Sequence, residues 1–137
     1  MRKKLGIEGS IEEDNSLITR LLQWMLEKQA DYTNTFKDLT NGTLSSSVYQ
    51  DLNFQHWNEQ YQKRKPNVEI MKQHNPQVIP RNHKVEEALL EANKNNLQPL
   101  HSLLAVLRHP YKTSNDLKHF QDPAPSSNEP YQTFCGT

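Results

Sequence analysis

Apolar side chains in this chain return every three or four positions and almost nowhere every second one. Leu17, Ile18, Leu21, Leu22 and Met25 fall on one helical face, and Tyr32, Phe36 and Leu39 continue a stripe at the same spacing. Phe54, Trp57 and Tyr61 sit at i, i+3 and i+7, and Leu97, Leu100, Leu104 and Leu107 repeat at 3-4-3 spacing. No alternating stretch of useful length accompanies them. The spacing predicts an all-α fold of five or six short helices joined by short connections, with an extended Pro/Ser-rich C-terminal tail. No internal repeat is present.

Start and stop signals set the bounds. Ser10-Ile11-Glu12-Glu13 has the capping-box form, in which the serine oxygen accepts an orphan N–H and Glu13 reaches back. A helix over 11–29 follows. Asp31-Tyr32-Thr33-Asn34 restarts the chain as a helix, and Asn41-Gly42 supplies a left-handed stop. After a polar loop over 43–47, a helix over 48–65 is expected, closed by Pro66. Residues 67–82 read as irregular: Ile70 and Met71 form a short apolar patch, while Pro76 and Pro80 bar a long helix. Asn82 is expected to cap a helix over 83–94. Glu86 and Glu87 favour its positive end, and Val85, Ala88, Leu89 and Ala92 form its apolar face. The leucine helix ends at Arg108-His109-Pro110, and Ser114 or Asn115 is expected to cap one more turn to Phe120. The chain thus divides into a helical segment over 1–120 and a tail over 121–137 that carries Cys135.

Composition narrows the function. Of the 137 residues only 34% are hydrophobic, and the mean hydropathy is −0.93; average domains hold roughly 45–50% apolar residues. Such a chain is thinly cored for its length. Part of the face built from Phe54, Trp57, Tyr61 and the leucines is therefore expected to be exposed, or paired with another chain, when the segment stands alone. No run approaches the roughly 20 apolar residues of a membrane span. The N-terminus Met1-Arg2-Lys3-Lys4 leads into Leu5-Gly6-Ile7-Glu8, which is no secretory h-region, so no membrane and a cytoplasmic location are expected. Sixteen Lys/Arg against sixteen Asp/Glu argue against a bulk polyanion binder. With four glycines, neither phosphate-cradling glycine motif occurs.

Candidate chemistry is sparse. Six histidines are present, but none lies in an H-E-x-x-H; Glu59 at i+3 from His56 is a weak metal pair, and no metal site is expected. The segment 63–84 gathers Lys63, Arg64, Lys65, Lys72, Arg81 and Lys84 against Glu69 alone. It reads as a solvated helix end with local acid partners rather than a nucleic-acid surface. Phe54, Trp57 and Tyr61 read mainly as core. Cys135 is the single cysteine. A tail three residues from the C-terminus holds a catalytic nucleophile poorly, so no catalytic residue is assigned. An accessible thiol there remains a redox candidate.

Four stretches carry a family resemblance: Met1-Arg2-Lys3-Lys4-Leu5-Gly6, Asp31-Tyr32-Thr33-Asn34-Thr35-Phe36, Asn75-Pro76-Gln77-Val78-Ile79-Pro80-Arg81-Asn82-His83, and Tyr131-Gln132-Thr133-Phe134-Cys135-Gly136-Thr137. With Val85-Glu86, Ala88-Leu89 and Pro110-Tyr111, they resemble the C-terminal part of the selenoprotein O (SelO, YdiU) family across nearly the whole chain. The Ile-Pro-Arg-Asn-His segment and the terminal cysteine are the specific parts; Lys37 stands where the family usually has Arg.

The resemblance implies a protein-kinase-like (pseudokinase) fold that uses ATP and Mg²⁺ to transfer AMP, not the γ-phosphate, to protein hydroxyls. The family's nucleotide and metal residues lie upstream of the matched region, so none is carried over and no cofactor is expected within this chain. Cys135 does carry over, at a position held by selenocysteine or cysteine. In bacterial relatives it can form a regulatory disulfide with an activation-loop cysteine, and this sequence holds no such second cysteine. The implied partners are the upstream kinase-like region and protein substrates, with homo-oligomerisation when isolated as a further expectation. Residues 75–83 would form a rigid packed connector. There Arg81 is suited to bind a buried carboxylate bidentately, and Arg81, Asn82 and His83 are candidates for structural or substrate contact. The competing reading is a free-standing helical interaction module.

Overall fold

The structure is a computed structural model, and it describes residues 1–9, 12–113 and 117–125. Among these residues there are seven α-helices, two 3-10 turns and no strand. The all-α expectation holds, with more helices than the periodicity predicted.

The chain opens in a 3-10 turn, Arg2–Leu5, that ends on Gly6 in the left-handed region at φ 61°. Helix α1 (Glu13–Glu27) begins with Glu13 and Asp14 in its first turn and buries Leu17, Leu21, Trp24 and Met25. Leu22, expected on that face, is exposed. It lies about 140° round the helix from Leu17, while Trp24 lies only about 20° away. The expected Ser10 cap falls outside the described residues. Helix α2 (Tyr32–Asn41) starts where Asp31 accepts the Asn34 N–H and stops at Gly42, φ 67°.

The single helix expected over 48–65 is divided. A 3-10 turn, Ser47–Gln50, is followed by extended Asp51 and then α3 (Leu52–Lys63). The break has a physical cause. The Asp51 carboxylate accepts the Asn53 and Phe54 N–H groups as an N-cap. The same carboxylate accepts from Trp24 Nε1 at 3.1 Å and pairs with Lys28 Nζ at 2.6 Å. Residues 67–74, expected to be irregular, form a further helix, α4 (Val68–His74), capped by the Asn67 side chain through the Glu69 and Ile70 N–H groups. Pro66 and Pro76 lie outside it, so they bound it rather than prevent it.

Helix α5 (Asn82–Asn93) begins one residue early. Its N-cap position is Arg81, whose side chain makes no cap bond, and Asn82 is the first helical residue rather than the cap. Helix α6 (Gln98–Leu107) carries Pro99 in its first turn, where a missing N–H costs nothing. A last short helix, α7 (Lys118–Gln121), precedes exposed residues 122–125 without regular structure. Cys135 and the rest of the expected tail, 126–137, lie outside the described residues.

One core joins the first half of the chain. Leu5, Leu21, Phe36, Phe54, Trp57 and Tyr61 are among its buried members. The aromatics meet in a chain: Trp24 to Phe54 at 4.6 Å, Phe54 to Trp57 at 5.6 Å, and Trp57 stacked on Tyr61 at 5.0 Å. Their polar ends are satisfied, Trp57 Nε1 donating to the Leu17 carbonyl and the Tyr61 hydroxyl to the Leu5 carbonyl, both at 2.8 Å. Of the face expected to be partly exposed, the aromatic part is therefore buried. The leucines behave the opposite way. In α6 it is Leu103 that is buried, while Leu97 and Leu104 are exposed. The α5 and α6 helices pack on each other, and Ala88 and Leu103 are the buried residue of each.

Candidate functional site

The connector over 75–81 is where polar side chains converge. Asn75 is buried and satisfied on both sides of its amide: Nδ2 donates to the Lys4 carbonyl at 2.7 Å and to Thr40 Oγ1 at 2.8 Å, and Oδ1 accepts from Lys4 Nζ at 3.4 Å. Lys4 Nζ returns a bond to the His74 carbonyl at 2.9 Å and stands 5.4 Å from the Phe36 ring centre. Burial pushes that lysine's pKa down. One residue past Pro76, the Gln77 N–H donates to the Pro110 carbonyl at 2.7 Å, so the connector also fixes the end of the α5–α6 hairpin. Gln77 further accepts from Asn41 Nδ2 at 2.9 Å through its side chain and from Gln121 Nε2 at 2.9 Å through its backbone carbonyl.

Arg81 closes the connector onto α2. Its Nη1 donates to Asp31 Oδ2 at 2.8 Å and its Nη2 to Asp31 Oδ1 at 2.9 Å, the parallel fork that matches guanidinium to carboxylate. The Arg81 side chain is 9% exposed and that of Asp31 25%. Asp31 serves two partners, since Oδ1 also accepts the Asn34 N–H at 2.7 Å. Burial pushes the Asp31 carboxyl up. The Arg81 hydrogen bond, the Asn34 N–H and the positive charges of Arg81 and Lys37 together outweigh it and hold the pKa below the usual carboxylate value.

The sign for stability follows from that direction. A carboxyl with a depressed folded-state pKa contributes stability above its unfolded value, about 3.9, and loses it as pH falls through the folded value. Asp31→Asn should therefore cost about 1–2 kcal/mol at pH 7 and flatten part of the acid limb below about pH 4. Urea titrations at pH 7 and pH 3 check both effects; an unchanged acid limb would remove Asp31 from the account. Arg81→Lys keeps the charge and loses the fork, and should cost about as much as Asp31→Asn.

The other expected site residues stand apart from this pair. Asn82 is exposed and His83 half-buried at the start of α5. Neither makes a side-chain hydrogen bond among the described residues. The basic segment does not form a continuous positive surface: Arg64 pairs with Asp14, Lys72 with Glu69, Arg81 with Asp31 and Lys84 with Glu87. His56 bonds Gln60 at 2.7 Å and His74 the Ile70 carbonyl at 2.8 Å. Among the described residues no three His, Cys, Asp or Glu side chains gather as a metal-holding group. No helix among them is long and apolar enough to cross a membrane.

A groove of about 470 Å³ lies between α5, α6 and α7, with Ala88, Leu103, Val106 and Phe120 among its walls. Its one carboxylate, Glu87, already pairs with Lys84 at 3.2 Å. Mg²⁺ beside nucleotide phosphates needs free carboxylate oxygens. This groove is therefore not read as an ATP–Mg²⁺ site, and no chemical step is routed through one. Sequence reasoning picked out Arg81 but not its partner. Asp31 has a readable signal as the N-cap of α2, whereas Asn75 and Gln77 are polar residues whose burial nothing in the sequence marks.

Comparison with known proteins places this arrangement. The family described as "Protein adenylyltransferase SelO" matches residues 1–108. The protein named "Protein nucleotidyltransferase YdiU" from Pelagibacter ubique is 47% identical over 146 aligned positions, covering 100% of this chain and 30% of the relative. Proteins of the same name from Alcanivorax borkumensis and Bacillus cereus are 44% and 42% identical over 147 positions, again covering 100% of this chain and 30% of theirs. The chain thus spans about a third of the length of the curated relatives it matches.

Proposed function

This chain belongs to the SelO family of protein adenylyltransferases, and from that premise we propose that it works as the C-terminal helical part of a protein nucleotidyltransferase. The whole protein would move AMP from ATP to hydroxyl side chains of proteins. The chain itself would supply structural support and a redox-regulatory tail, and would be inactive alone. The observation that carries this reading is the match of 100% of the chain to relatives named for nucleotidyl transfer. The lack of either glycine-rich phosphate motif in the sequence supports the division of labour. The Arg81–Asp31 fork supports the structural role, since it ties the connector to α2 and with it the placement of the α5–α6 hairpin.

The test is a titration of the 137-residue chain with ATP and Mg²⁺, alongside transfer assays with label on the α- or the γ-phosphate. No binding and no labelling by the chain alone, with α-label transferred by the whole Pelagibacter relative, is the expected result. Tight stoichiometric binding by the chain alone would overturn the division of labour. For the tail, Cys135→Ser in a full-length protein carrying this sequence should abolish the oxidant sensitivity of transfer; unaltered sensitivity would sink the redox role.

A second reading has one observation in its favour. The aromatic core closes within the chain's own helices, with Phe54, Trp57 and Tyr61 all buried. A free-standing helical interaction module would have that property. An intact promoter and ribosome site directly before the Met1 codon would favour it, and an in-frame kinase-like sequence there would exclude it.

A further inference from the structure

The α5–α6 hairpin has two sides of unequal character. Helices in contact across a short turn run antiparallel, so positions shifted the same way round from Ala88 and from Leu103 emerge on the same side. One side is the groove that α7 and Phe120 flank. The helical step places Val85, Leu89 and Ala92 of α5 on the other, with Leu100, Leu104 and Leu107 of α6 and Leu97 at its start. Leu89, Leu97 and Leu104 are 51%, 49% and 43% exposed, and the other four residues are half-buried. Seven apolar residues on one side of a hairpin make a continuous face, not scattered surface leucines. The largest contiguous apolar patch on a protein surface is often an interaction site.

We propose that this leucine face is an intramolecular docking face, covered in the longer family protein by polypeptide this chain does not span. The inference rests on the reading of the chain as part of a protein nucleotidyltransferase. Area selects the occupant. A helix of 12 residues is roughly 18 Å long, and two packed helices are roughly 20 Å wide, so the face offers roughly 350 Å². A stable complex of separate chains buries about 800 Å² on each partner, which disfavours a second copy held by this face alone. Interfaces between parts of one polypeptide begin near 300 Å² a side, because tethering replaces the cost of association. The relatives supply that tether and the missing cover, being matched over only 30% of their length.

Hydrogen exchange compares the two states directly. Peptides over 97–107 of this chain should exchange at least about ten-fold faster than the aligned peptides of the whole Pelagibacter relative, after correction for intrinsic rates. Peptides over α3, buried in the chain's own core, should exchange alike. Equal rates over 97–107 would overturn the docking face. Light scattering on the isolated chain should find a monomer. A dimer that Leu104→Glu abolishes, and that Leu52→Glu on an unrelated exposed leucine preserves, would assign the face to a second copy and also overturn it. Transfer of AMP by the same sample of the relative is read separately. Transfer without protection removes the docking face alone, and protection without transfer removes the activity alone.

Discussion

Replacing Gly6 with alanine should cost this chain about 4 kcal/mol, a large share of the roughly 5–15 kcal/mol typical of a domain. Two costs combine. Gly6 has φ 61°, a conformation that costs an L-residue about 1–2 kcal/mol. An added Cβ would also stand 2.5 Å from the Asn67 carbonyl oxygen, 2.8 Å from the Asn67 nitrogen and 2.9 Å from Met71 Cγ. The methionine end can move; the Asn67 backbone cannot, since its N–H donates to the Gly6 carbonyl at 2.8 Å and its side chain caps α4. Relief would require lifting the N-terminal turn from α4, taking buried Leu5 and its bond from the Tyr61 hydroxyl with it. Gly42 is the control. It has φ 67° but nothing within 4 Å of an added Cβ, so Gly42→Ala should cost only about 1 kcal/mol. Urea unfolding followed by the fluorescence of Trp24 and Trp57 measures both. Equal costs at the two glycines would show that close approach to Asn67 is not what selects Gly6.

Much of the helical framework was readable because periodicity reports burial where a helix lies against one core. Leu17, Leu21 and Met25, and the stripe of Phe54, Trp57 and Tyr61, were legible for that reason. Residues 97–107 were legible as a helix but not as to which leucines face inward. The stripe there serves two surfaces: Leu103 faces α5, while Leu97 and Leu104 face outward. Spacing alone cannot tell a face made for the chain's own core from one made for another partner. Helix α4 was missed because its seven residues bury one apolar side chain, Met71, too few for a period. The signal was the cap, Asn67 directly after Pro66. The break at Asp51 was hidden for a related reason: an aspartate inside an apolar period looks like an exposed helical position until Trp24 and Lys28 are seen to converge on it.

The low apolar content gains a physical meaning from this distribution. The apolar residues are not spread thinly over the chain. They concentrate in a core drawn from residues 5–71, with a ring system that buries large areas per residue. The hairpin that follows has few buried residues of its own and is tied to the first part of the chain by a connector whose Asn75, Gln77 and Arg81 make polar contacts to it. A composition of 34% hydrophobic residues is enough for the first part and leaves the second with an apolar side outward.

Asp14→Ala should be the most damaging change of a charged residue, at about 3 kcal/mol. The Asp14 side chain is 0% exposed, and Arg64, 21% exposed, donates Nε to Oδ1 at 2.8 Å and Nη2 to Oδ2 at 3.4 Å. Arg2 Nε stands 3.5 Å from Oδ2 and adds charge rather than a hydrogen bond. Arg64 Nη2 also reaches the Glu8 carbonyl at 3.1 Å, so one guanidinium ties the start of α1, the end of α3 and the N-terminal segment together. Removing the carboxylate leaves a largely buried cation without its partner, and that unpaired charge is the main cost. The argument requires coupling. Arg64→Ala in the Asp14→Ala background should cost at least about 1 kcal/mol less than in the parent chain, because there it strands no carboxylate and removes the unpaired guanidinium. The exposed pair of Lys72 and Glu69, at 2.8 Å, sets the comparison: breaking it should cost less than about 1 kcal/mol. Strict additivity of Asp14→Ala and Arg64→Ala in urea titrations would mean the two residues stabilise the chain independently, and the ion pair would then be a consequence of packing rather than a cause of it.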